Sequence, residues 1–166
     1  DLTNEGWQTE QIIVSDTLTA VEVKAKIKQA KNNNPSLKSI LIIGHVAVPY
    51  SGNAAWDGHP DHGGAWSSDT YYADLDGVWT DNGVNVTEPA RQENKNVPND
   101  GKFDQSVLPS NIELEIGRVD FYNMPALNKS EIDLLKQYFK KNHAFRTGKI
   151  VAQRKGLVND NFNYPE

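Results

Sequence analysis

The run Ser39-Ile40-Leu41-Ile42-Ile43-Gly44 constrains this chain more than any other segment. Its unbroken aliphatic residues leave no polar face, so a strand built from them is expected to be buried on both sides. That is the habit of parallel sheets covered by helices. The preceding residues supply a helix. Thr19-Ala20-Val21-Glu22 fits a capping box, and Ala20, Val23, Ile27 and Ala30 recur at helical spacing over residues 20–31. Lys24, Lys26, Lys28 and Lys31, with Lys38 beyond, read as a solvated face. Asn32-Asn33-Asn34-Pro35 ends the helix. Gln11-Ile12-Ile13-Val14 is short and β-branched and predicts a strand over 11–14, which completes a βαβ unit with a right-handed crossover.

Downstream, Ile112-Glu113-Leu114-Glu115-Ile116-Gly117 alternates and predicts a strand over 112–116. Asn128-Lys129-Ser130-Glu131 fits a second capping box, and Ile132, Leu135, Tyr138 and Phe139 form an apolar stripe on a helix over 129–142. Lys149-Ile150-Val151-Ala152-Gln153 predicts another core strand. The expected fold is α/β, a three-layer sandwich around a mainly parallel sheet, in a single domain over 1–166. Residues 45–111 stand apart. They are rich in Gly, Asn, Asp, Pro, Trp and Tyr and lack periodicity. A loop this long with little apolar content is expected to be functional, or ordered by ions rather than by a core.

The net charge of −5 disfavours a polyanion partner such as nucleic acid. No stretch is long and apolar enough to span a membrane. The chain has no cysteine, which excludes disulfides, thiolate metal sites and a thiol nucleophile of its own. The start at Asp1-Leu2-Thr3, and an end over 161–166 with no strand or helix signal, predict a section of a larger domain. An incomplete sheet has open edges, so the missing C-terminal half of that domain or self-association is expected to cover them.

The densest chemistry is Asp57-Gly58-His59-Pro60-Asp61-His62. Two imidazoles and two carboxylates suit zinc or another transition metal, while the alternative is a polar loop bonding to itself. Asp74-Leu75-Asp76-Gly77 with Asp81, and Asn99-Asp100-Gly101-Lys102-Phe103-Asp104, alternate carboxylates with glycine as a calcium loop does. Neither completes the helix–loop–helix calcium pattern, and Asx turns are the alternative. Trp56, Trp66, Tyr71, Tyr72 and Trp79 suit either a sugar-stacking platform or packing beneath a loop. His45 directly follows the aliphatic strand, where α/β enzymes place active residues.

Ser39 to His45, then Ser68-Asp69-Thr70-Tyr71-Tyr72-Ala73-Asp74-Leu75-Asp76-Gly77, then Glu115-Ile116-Gly117-Arg118-Val119, resemble in order and spacing the gingipain-type cysteine peptidases. The resemblance covers roughly 38–155. It implies a caspase-like fold, a secreted or cell-surface bacterial protein and a peptide or protein substrate. It also implies calcium in the long loops, which favours Asp74, Asp76 and Asp81. The family's catalytic histidine and cysteine each follow a later core strand, so the resemblance implies no catalytic residue within this chain. Asp69, Tyr71 and Tyr72 would shape the substrate cleft. The loop from Gly44 to Ser67 departs from the family pattern. Two other functions fit the residues: a non-catalytic module binding a glycan or protein, and a metal-dependent hydrolase built on Asp57–His62.

Overall fold

A computed structural model describes residues 2–153, 155 and 156; the expectation for 161–166 lies outside the described residues. The elements are α1 (Ala20–Asn33), β1 (Ser39–Ile43), β2 (Tyr50–Ser51), β3 (Trp66–Ser67), α2 (Thr70–Ala73), β4 (Glu115–Val119) and α3 (Glu131–Arg146). Residues Glu10–Asn123 form one compact unit, and the described residues outside that range form a second. The chain is thus mixed α/β with a small parallel sheet. No helix among the described residues is long and apolar enough to cross a membrane.

In the larger unit, Thr19 caps α1 through the expected reciprocal box: its hydroxyl accepts the Glu22 N–H, and Glu22 accepts the Thr19 N–H at 2.8 Å. Val23 and Ile27 on the inner face of α1 meet Tyr71 and Tyr72 of α2, together with Leu75, Phe103, Ile42 and Leu114. β1 and β4 pair in parallel, Ser39 opposite Glu115 through Ile43 opposite Val119. β2 and β3 form a two-residue antiparallel pair.

Five expectations fail. Residues 11–14 form no strand; Ile13 is 85% exposed, and β-branched residues without a ladder partner do not make one. The parallel partner of β1 is β4 instead. The strand expected at 112–116 begins three residues later, because the Glu113 and Leu114 N–H groups both turn to the Ala73 carbonyl. Residues 149–153 are likewise unpaired, with Val151 81% exposed. β1 is not buried on both faces: Ile42 faces the core, while Leu41 and Ile43 are about half exposed. Lys24 is not solvated. It is buried, with its ammonium 4.2 Å from the Tyr71 ring centroid and 5.6 Å from that of Trp79. Burial pulls its pKa below the usual range, against the opposing attraction of Asp74.

In the smaller unit, the cap of α3 is Ser130, whose hydroxyl accepts the Asp133 N–H, rather than Asn128. The helix runs a turn further than the stripe suggests, to Arg146, which pairs with Glu5. Thr147 closes it by donating to the His143 carbonyl.

The long segment also corrects its expectation. It is not poor in core: Tyr71, Tyr72, Leu75 and Phe103 are among its buried residues. The Tyr71 and Phe103 rings stack at 4.1 Å, and Trp79 meets both edge-on. Its irregular backbone is then held by side chains. Fully buried Asn96 donates to the carbonyls of Gly52 and Phe103. Gly64, with φ of 142°, lets the chain pass Asn94, whose carbonyl oxygen would lie 2.0 Å from any Cβ. Asp104 accepts the N–H groups of Asn82, Gly83 and Val84 and the Thr80 hydroxyl.

Burial alone would raise the Asp104 carboxyl, but those donors hold it down at about 2. An unfolded aspartate titrates near ~3.9. The folded value is the lower one, so this stabilisation is complete above about pH 4 and is lost as pH falls towards about 2. Asp104→Ala is expected to cost about 2 kcal/mol in urea unfolding at neutral pH. The variant should also show a shallower acid loss of stability than the parent.

Candidate functional site

The carboxyl ends of parallel strands are where α/β folds gather chemistry. Here β1 runs into Gly44, whose φ of 82° turns the chain, and His45 follows. β4 ends beside it and delivers Arg118, Asp120 and Tyr122. Arg118 is the hub. Its Nε and Nη2 each donate at 2.8 Å to the two oxygens of Asp69, a bidentate fork. Nη1 donates to the Val46 carbonyl at 2.6 Å and Nη2 to that of Ala47 at 3.1 Å. The Tyr72 hydroxyl donates to the Ala47 carbonyl at 2.7 Å. Burial alone would lower the Arg118 pKa, but Asp69 raises it, so the guanidinium is a fixed positive charge. Burial pushes the Tyr71 phenol up to about 12 and raises that of Tyr72 as well, so both stay neutral.

Asp120 lies between His45, whose Nδ1 is 3.2 Å away, and the Arg118 guanidinium, whose Nη1 is 3.9 Å away. The His45 ring stacks on Tyr122 at 3.7 Å. One nitrogen is therefore held by a carboxylate and one face by an aromatic ring. Nε2 remains as the ring's other donor or acceptor position, on a side chain 40% exposed. The four residues expected to shape a cleft, His45, Asp69, Tyr71 and Tyr72, fall in two places. His45 and Asp69 meet through Arg118 and Asp120 at the strand ends. Tyr72 reaches the same spot by its hydroxyl alone, and Tyr71 belongs to the core. Asp120 and Tyr122 were not legible as site residues; only their position just after an Ile-Gly-Arg strand end marks them.

The carboxylates expected to bind calcium separate into three groups. Asp74 and Asp76 converge with Glu113, with ligand oxygens of all three within 4.8 Å of one another; this is the one such trio among the described residues. Asp81 instead accepts the N–H groups of Asn99 and Gly101, both at 2.8 Å. Asp100 accepts the N–H group of Val97 and, in an Asx turn, that of Lys102. Asp104 holds the turn described above. In the trio, Ser110 donates to both Asp74 and Asp76, Gly77 N–H and the Trp79 indole donate to Asp74, and Leu75 N–H donates to Glu113. Burial would raise the Asp74 carboxyl, yet Ser110, Gly77, Trp79 and Lys24 together keep it low. Glu113 is the member that spacing did not suggest, since it arrives from a distant turn.

In the loop cluster, His62 Nδ1 lies 2.6 Å from Asp57 and its Nε2 lies 4.0 Å from Asp61. The His59 ring lies 5.1 Å from that of His62. The bond to His62 lowers the Asp57 carboxyl. These four residues form an imidazole–carboxylate pair with neighbours rather than three convergent metal ligands. His62-Gly63, the chain's one His-Gly pair, closes a 3-10 turn and follows no core strand.

Arg118→Lys keeps the charge but loses the fork, and is expected to cost about 2 kcal/mol in chemical unfolding. A double-mutant cycle with Asp69→Asn should return a coupling of roughly 1–3 kcal/mol; additive losses would show that the fork contributes nothing beyond its parts. No family model matches the chain, and no curated protein or solved structure does either.

Proposed function

We propose that this chain is the N-terminal section of a secreted or cell-surface bacterial peptidase domain of the caspase-like, three-layer type, related to the gingipain-type cysteine peptidases. One observation carries the reading. The three segments on which the resemblance rests lie far apart in sequence, and Arg118 gathers them at one point. It bonds Asp69 of the second segment and the carbonyls of Val46 and Ala47, just past the first. That point lies at the carboxyl ends of the two parallel strands, where such a domain would open its cleft.

In this reading the strand ends form one wall for a peptide or protein substrate, and the missing half of the domain completes the sheet. The thiolate and the imidazole that activates it come from sequence beyond Glu166; the thiolate attacks the scissile carbonyl. Calcium belongs at Asp74, Asp76 and Glu113, where three carboxylates face the single ammonium of Lys24 and a hard cation would balance the remainder.

The reading frame past Glu166 is expected to encode a His-Gly and then a cysteine, each after an apolar strand. Protein carrying that continuation should hydrolyse peptides and lose activity to thiol alkylation. A continuation lacking either residue overturns the proposal. Calcium at millimolar concentration is expected to raise the melting temperature, and Asp76→Asn to remove most of that rise. A melting temperature indifferent to calcium excludes the ion site while leaving the peptidase reading to its own test.

A further inference from the structure

Two of the five aromatic residues singled out in the sequence escape the core. Tyr71 and Tyr72 are buried, and Trp79 packs against them. Trp56 and Trp66 instead line an open cleft of about 200 Å³ beside the β2–β3 pair. The other lining side chains include Ser51, Ser67, Ser68 and Ser106, and none is charged. Trp56 is 62% exposed, so its indole presents itself to solvent. Trp66 is fixed: its indole N–H donates to the Ala54 carbonyl at 2.9 Å, and the Arg91 guanidinium lies 5.6 Å from its ring.

The hydroxyls have a bias. Ser51 has given its proton to the Gln105 carbonyl at 2.6 Å, and Ser106 has given its own to the Asn53 side chain at 2.9 Å while accepting the Asn53 N–H at 3.1 Å, which leaves one lone pair. A hydroxyl that has donated keeps acceptor capacity. The Gln105 amide is turned away and bonded to Thr80. The cleft therefore offers flat apolar surface together with acceptors, and no charge. A ligand matched to it has an apolar face, several outward hydroxyl donors and no ionic group. No lining side chain supplies a counter-charge; the Arg91 guanidinium lies against Trp66 but is not among the lining residues.

We propose that this cleft binds a pyranose unit of a neutral glycan, with the Trp56 and Trp66 indoles against the C–H face of the sugar and the serine oxygens accepting its hydroxyls. A glycan held here would dock the protein on a carbohydrate surface. The site stands apart from the peptidase reading and survives its failure.

The test is tryptophan emission and NMR titration with neutral hexasaccharides of glucose, mannose, xylose and N-acetylglucosamine. At least one is expected to bind at millimolar concentration or better. Trp56→Ala is expected to weaken it about ten-fold with no change in melting temperature, because the ring it removes is exposed. Ser67→Trp, which fills the cleft from β3, is expected to abolish it. The proposal is overturned if none of the four binds, or if binding ignores both substitutions. It is equally overturned if the cleft takes an anionic polysaccharide or a peptide in their place.

Discussion

One guanidinium holds this fold in register. The parallel sheet of the larger unit pairs two strands, β1 and β4, among the described residues, and a two-stranded ladder is marginal without help. Arg118 supplies help at the end where the ladder stops. It ties the last turns of β4 to the chain leaving β1 and to the segment that starts α2. Its five donors suit a cluster of two carbonyls and one carboxylate as no ammonium would. Its Nη1 also lies 3.9 Å from Asp120, the carboxylate that holds His45. Structure and candidate chemistry thus share one anchor.

Carboxylates extend this logic along the irregular segment. Backbone outside helices and sheets leaves N–H groups that must find acceptors. Asp81, Asp100 and Asp104 supply them, each accepting from nearby amides. Aromatic packing around Tyr71 and Phe103 provides the apolar half of the same solution. A loop dense in aspartate, glycine and aromatics is therefore ordered here by two complementary means. Composition predicts the need for order, and the fold shows where it comes from.

Local signals were legible wherever a few neighbouring residues decide the outcome. The capping box at Thr19 and Glu22, the helix stop at Asn34-Pro35 and the strand at Ser39–Ile43 all follow from short-range rules. Features that depend on a distant partner were not. Ile12 and Ile13 have the residue types of a strand, but no neighbour takes them up. Lys24 sits in a run of lysines of which Lys26 and Lys28 are exposed, and only the arrival of Tyr71 and Trp79 buries it. In the candidate site, His45 and Asp69 were legible from position and resemblance. Asp120 and Glu113 were not, since each gains meaning from a partner some forty to seventy-five residues away. The division of the aromatics between core and cleft lay equally out of reach of spacing.

The glycine of Asp74-Leu75-Asp76-Gly77 has a consequence for how such a chain drifts. A Cβ on Gly77 would lie 2.2 Å from a carboxylate oxygen of Asp74, so no other residue fits while Asp74 holds its bonds. Asp74 in turn cannot lose its carboxylate without depriving the half-buried Gly77 N–H and Trp79 indole of their acceptor. Each residue forbids change in the other. Descendants of this sequence would keep Asp74 and Gly77 together through packing, whether or not the loop holds an ion. In chains of this kind, persistence of that signature across lineages measures packing before it measures any metal.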